Sequence, residues 1–171
     1  MFALGFLFGY QILKRIFLKE HISTDKLDPL LIAMMLGTVI GARLGHCLFY
    51  EPEVYLRDPL RILKVWEGGL ASHGGTLGIM LALYITQRRI QLPSYMWLLD
   101  RMAIPVSLMA MLIRIGNFFN SEILGKPTDG TWGVVFERVD LIPRHPGMLY
   151  EALSYLLTFF VLLFLYQKES V

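Results

Sequence analysis

PLLIAMMLGTVIGARLGHCLFY, residues 29–50, carries a single formal charge, at Arg43. A helix crosses a bilayer with about 20 mostly apolar residues at ~1.5 Å rise each. This run is long enough and apolar enough to do so. Three more runs of similar length follow. Residues 69–86 contain no Asp, Glu, Lys or Arg, residues 93–113 are interrupted by Asp100 and Arg101, and residues 148–166 are interrupted by Glu151. A shorter run, residues 1–17, meets Lys14 and Arg15 before it reaches membrane length. It lacks the basic start and small-residue cleavage site of a signal peptide. It reads as beginning partway through a helix, so the chain is expected to be a fragment or shortened form. The expected fold is all-α: a polytopic membrane helix bundle of about five transmembrane helices, in a single transmembrane domain over residues 1–171.

Composition agrees. Of the 171 residues 55% are hydrophobic and 18% charged, against about 45–50% and a quarter in ordinary soluble domains. Mean hydropathy is +0.53. Disorder needs few apolar residues and high net charge, so it is excluded. Cys47 is the only cysteine, which excludes an internal disulfide scaffold. A net charge of +2 is too small and too scattered for a nucleic-acid binder, and no nucleic acid partner is expected.

The connections are residues 18–28, 51–68, 87–92 and 114–147. Within the second, Leu60, Ile62, Leu63, Val65 and Trp66 alternate with Arg61 and Lys64. That pattern predicts a short helix lying in the interface over 59–66, with Trp66 at headgroup level. Basic residues divide equally between the two sides, so the positive-inside rule alone does not orient the chain. The loops at 14–28, 87–92 and 167–171 are shorter and denser in basic residues. Loops 51–68 and 114–147 are therefore expected outside.

An ionisable residue in a span costs about 2.5–3.5 kcal/mol on insertion scales, so each one asks for a partner. Arg43, His46, His73, Arg114, Glu122, Arg144 and Glu151 all fall at the outer ends of their spans in this topology. Polar groups delivered to one level by separate segments form the pattern of a site. Blander readings stand beside it. Arg43 could snorkel outward, His46 could serve helix packing, and His145 could be a loop residue. Asp100 and Arg101 could pair or cap, and Asn117 and Asn120 could satisfy the backbone where a helix ends. Gly74, Gly75 and Gly78 leave a face without side chains beside His73, open to a lipid headgroup or to another helix. The four histidines show no close ligand spacing and the lone cysteine has no partner, so a metal site is not expected.

The run IRIGNFFNSEILG, residues 113–125, resembles the signature segment of bacterial prolipoprotein diacylglyceryl transferases. Arg114, Gly116, Asn117, Phe118, Asn120, Glu122 and Gly125 match that pattern, and Ile113 stands where glycine is usual. GARLGHCLFYEP (41–52), DPLRILKVWEGGLASHGG (58–75) and PRHPGMLYE (143–151) are similar to the family in the same order. The resemblance implies a multi-pass enzyme of the bacterial inner membrane with its active site toward the periplasm. Such an enzyme moves the diacylglyceryl group of phosphatidylglycerol to the lipobox cysteine thiol of a prolipoprotein. A thioether forms and glycerol phosphate leaves. The family's essential histidine falls on His73 and its phosphatidylglycerol-binding arginine on Arg114. A tyrosine and a second arginine of the family are expected upstream of Met1 and beyond Val171.

The residue chemistry suits that reaction. A free thiol has a pKa of about 8.5, so little is thiolate at neutral pH. A neutral imidazole, His73, can accept the proton. A guanidinium offers fixed paired donors to a phosphate ester, which lysine cannot copy. Arg114 is the candidate, with Arg144 as a second clamp. Asn117, Asn120 and Glu122 would bind glycerol hydroxyls or orient the arginine, and Arg43 and Glu151 complete the expected substrate-binding set. No metal or organic cofactor is required. The rival classes are a small-solute transporter or channel built on the same polar groups, and a non-catalytic membrane fragment.

Overall fold

A computed structural model describes residues 1–169. Among them the chain forms six α-helices: α1 (Phe2–Lys19), α2 (Leu27–Phe49), α3 (Pro52–Arg57), α4 (Ser72–Arg89), α5 (Tyr95–Asn120) and α6 (Gly147–Glu169). The only sheet among the described residues is an antiparallel ladder of β1 (Val134–Val135) and β2 (Pro143–Arg144). The fold is all-α, of membrane type. Three helical stretches, Thr24–Phe49, Tyr95–Asn120 and Gly147–Lys168, are long and apolar enough to cross a membrane. The 18 residues of α1 include Lys14, Arg15 and Lys19. Helix α4 starts at Ser72, not at 69, and its first turn is Ser-His-Gly-Gly. Contacts divide the chain into two compact units, Ile22–Leu98 and Met1–His21 with the chain from Leu99 onward.

In the unit Ile22–Leu98, α2 lies against α4 along a seam of glycines. Gly37, Gly41 and Gly45 recur every four residues on α2, and Gly74, Gly78 and Ala82 do so on α4. That spacing stacks them on one face of each helix. A Cβ placed on Gly45 would stand 2.7 Å from the Gly74 Cα, and one on Gly37 would stand 2.8 Å from the Ala82 Cβ. A Cβ on Gly78 would collide with the carbonyl oxygen of Gly37. The side-chain-free face of α4 is therefore covered by a helix, which decides between the two expectations for those glycines.

The loop between α2 and α4 is organised by Arg43, which is 3% exposed. Its Nη2 donates to the Arg61 carbonyl at 2.6 Å, its Nε to the Ile62 carbonyl at 3.0 Å, and its Nη1 to the Gly68 carbonyl. The guanidinium also stands 5.1 Å from the Tyr55 ring. This explains the form of the short helix expected at 59–66. Carbonyls drawn to a guanidinium cannot continue an α-helical ladder. The segment is a 3₁₀-helix at Pro59–Leu63 and a 3₁₀ turn at Val65–Glu67, after the α-helix α3, which periodicity had not suggested. Trp66 is largely exposed. The chain returns to α4 through Gly68 and Gly69 at φ 86° and 72°. The Ala71 N–H then donates to the Ala42 carbonyl at 2.9 Å.

In the other unit α1 packs on α5. Cβ atoms built on Gly5 and Gly9 would lie 3.0 Å from the Met109 Cγ and 3.5 Å from the Pro105 Cβ. At one end Arg101 pairs with Glu20 at 3.0 Å and lies 5.8 Å from the Tyr166 ring, joining α1, α5 and α6. The pairing reading of Arg101 is thus the one realised. Helix α5 does not end near Arg114. It continues to Asn120, so Arg114, Asn117 and Asn120 stand on its last turns.

Candidate functional site

Helix α5 places Arg114 and Asn117 three residues apart, on one face. The chain then turns sharply. Ser121 and Ile123 adopt φ 58° and 55°, a left-handed conformation that is costly for a β-branched residue. Glu122 stands between them, its N–H bonded to the Asn117 carbonyl at 2.9 Å. The turn brings its carboxylate back over the end of α5. Asn117 Nδ2 donates to it at 2.9 Å and Asn120 Nδ2 at 3.5 Å. The donation fixes the Asn117 amide so that its Oδ1 faces Arg114, which donates from Nη1 at 3.4 Å. The first turns of α6 supply Glu151, whose carboxylate lies 2.6 Å from Arg114 Nε. A cleft of about 320 Å³ lined by Gly116, Asn117, Asn120 and Glu122 lies alongside. Five of the expected site residues, Arg114, Asn117, Asn120, Glu122 and Glu151, form one polar cluster.

Gly125 explains the end of the signature run. A Cβ there would collide with the His145 carbonyl oxygen, so only glycine lets the segment 125–128 lie against 143–145. Arg144, expected as a second phosphate clamp, is otherwise engaged. It donates to Asp140 from Nη2 at 2.6 Å and from Nε at 3.4 Å. The Arg144 guanidinium, helped by the Ile142 N–H, holds the Asp140 carboxyl below its usual range. Asp140 in turn raises the Arg144 guanidinium above its own. Sequence reasoning missed Asp140, because 140–144 is loop and strand and four-residue spacing marks partners only on a helix. His145 is a loop residue, with Nδ1 3.1 Å from the Tyr150 hydroxyl and its ring 5.6 Å from Trp132.

The unit Ile22–Leu98 gathers a second group. His73 is an exposed residue of the first turn of α4, not one buried within a span. Its ring meets Phe49 and Tyr50 at centroid distances of 5.7 and 5.8 Å. Tyr50 stacks in turn on His46 at 5.5 Å. His46 Nε2 lies 3.6 Å from the Glu51 carboxylate, a partner the sequence reading did not assign. Arg43, expected among the substrate-binding residues, is engaged by the loop that follows α2. Its donors serve the carbonyls of residues 61, 62 and 68, and its burial keeps it from the surface.

A family model described as prolipoprotein diacylglyceryl transferase matches residues 1–171. The chain is 55% identical over 170 residues to a phosphatidylglycerol–prolipoprotein diacylglyceryl transferase of Tolumonas auensis, covering 99% of this chain and 66% of that one. It is 53% identical over 167 residues to the protein of the same name from Chloroherpeton thalassium, covering 98% and 62%. With that from Porphyromonas gingivalis it shares 44% over 180 residues, covering 99% and 64%. The chain thus spans a little under two thirds of the length of these relatives.

Proposed function

The chain belongs to the prolipoprotein diacylglyceryl transferase family, and we propose that it moves the sn-1,2-diacylglyceryl group of phosphatidylglycerol to the lipobox cysteine thiol of a prolipoprotein. The observation that carries this reading within the structure is the guanidinium of Arg114, held between Glu151 and Asn117, with Asn117 also lining a neighbouring cleft. In this reading the thiol proton passes to His73, and the sulfur attacks the glyceryl carbon that bears the phosphate ester. The C–O bond breaks and a thioether forms. Glycerol phosphate leaves with the bonding electrons, its growing charge met by Arg114. A planar fork serves here better than an ammonium, because its donors are fixed in direction.

Arg114→Gln is expected to lose phosphatidylglycerol binding and transfer together, and Arg114→Lys to be clearly impaired. Transfer is followed as the mass gain of a lipobox peptide in phosphatidylglycerol vesicles, for this chain and for the Tolumonas auensis relative. Normal lipid affinity and normal transfer in Arg114→Gln would remove the phosphate-binding assignment.

The setting proposed is the bacterial inner membrane, with loops 51–68 and 114–147 on the periplasmic side. Basic density in the short loops supports this orientation. Cys47 is buried and Glu137 is exposed. A Cys47→Ala, Glu137→Cys protein should therefore react with an impermeant thiol reagent in intact spheroplasts. Reaction only after lysis would reverse the orientation.

A further inference from the structure

We propose that Glu151 makes the site at Arg114 selective for a singly charged phosphodiester over a doubly charged phosphomonoester, and so promotes release of the glycerol phosphate product. The proposal rests on the reading of Arg114 as the phosphate-binding residue. A guanidinium has five N–H donors in a fixed fork. The Glu151 carboxylate stands 2.6 Å from Nε as an ion pair, and Asn117 Oδ1 accepts a hydrogen bond from Nη1 at 3.4 Å. Among the described residues Asn117 accepts the one hydrogen bond that Arg114 donates, so N–H donors of the guanidinium remain for a ligand. The charge of the guanidinium is already balanced by Glu151. The next ionised group along the cluster, Glu122, is also negative and is reached through Asn117. Arg144 adds no balancing charge, because it is held by Asp140.

A ligand phosphate therefore meets directed donors with a carboxylate beside them. The phosphate of phosphatidylglycerol is a diester with one ionised oxygen. Once its C–O bond breaks, the departing group is a monoester, whose second ionisation lies near pH ~6, so it is largely a dianion at neutral pH. The donors of Arg114 already meet the oxygens of a singly charged diester, so the second charge adds chiefly repulsion from Glu151. One unit of charge repelled across about 5–6 Å, at the effective dielectric of a protein surface, exceeds a tenfold change in affinity. Glu151 is 46% exposed, and solvent brings the expectation down to about tenfold.

The test uses the whole chain in detergent and two soluble probes, measured by calorimetry at neutral pH. Glycerophosphoglycerol is the diester monoanion and glycerol phosphate the monoester dianion. Wild type should bind the diester more tightly. Glu151→Gln should tighten glycerol phosphate about tenfold more than it tightens the diester, and Glu151→Asp should keep the wild-type ratio. An unchanged ratio in Glu151→Gln overturns the proposal. So does tighter binding of the monoester by wild type, a readout that needs no variant to fold. Arg114→Gln should lose both probes. If it binds both as wild type does, the phosphate reading of Arg114 fails, which is a different result from a failure at Glu151.

Discussion

His73→Gln is expected to lower diacylglyceryl transfer by about 10²–10⁴ while leaving affinity for phosphatidylglycerol intact. That range is the usual contribution of a positioned proton acceptor. The amide keeps hydrogen-bonding capacity but has no basic nitrogen. His73 suits the role because its ring is exposed on the first turn of α4, where it meets the rings of Phe49 and Tyr50. Among the described residues neither of its nitrogens has a hydrogen bond, so either can face a thiol. His46 is the contrast, since its Nε2 is already directed at Glu51. His46→Gln should therefore cost much less. Transfer rate at saturating lipid and lipid affinity, measured separately, decide the matter. Near-normal turnover with weakened affinity would make His73 a hydrogen-bond donor to the lipid and end its assignment as the base.

The second large effect belongs to the seam between α2 and α4. Gly78→Ala should destabilise the unit Ile22–Leu98 by ~3 kcal/mol or more, and Gly78→Leu should prevent it from forming. Overpacking a core costs about 1–3 kcal/mol when side chains can shift. Here the obstacle is the Gly37 carbonyl oxygen, which moves only if a whole helix moves. Gly75 is the internal control on the same helix. A Cβ there would stand 3.5 Å from the Ala42 Cβ, an ordinary contact. Gly75→Ala should unfold in mixed micelles at nearly the wild-type denaturant midpoint, and Gly78→Ala far below it. Equal midpoints for the two would mean that the seam does not set the stability of this unit.

The apolar runs at 29–50, 93–113 and 148–166 were legible because long stretches with only one or two charges have few alternatives in water. The cluster around Arg114 was legible as a list of residue types, since motif spacing preserves chemistry. Its wiring was not. Asn117 looked like an end-of-helix residue because α5 turns polar after Arg114, yet the helix runs on and uses that amide to join Glu122 to the guanidinium. The structural anchoring by Arg43 was hidden for a different reason. Its partners are backbone carbonyls 18–26 positions downstream, and every residue has a carbonyl, so no side chain in the loop announces the contact. The seam was half legible. Glycines on α4 were noticed, but their meaning depended on the matching stripe at Gly37, Gly41 and Gly45.

The anchoring of the 59–70 loop by Arg43 bears on how this protein tolerates inherited change. A clamp that holds carbonyls does not depend on which side chains the held residues carry. Positions such as Arg61 and Ile62 can drift in descendants without loosening the loop. The constraint falls instead on Arg43 itself and on Gly69, where a Cβ would stand 2.6 Å from the His46 ring. Variation among descendants should thus be permissive across the loop's surface and abruptly narrow at those two sites. The loop's exposed side chains are left open to vary while its tether stays the same.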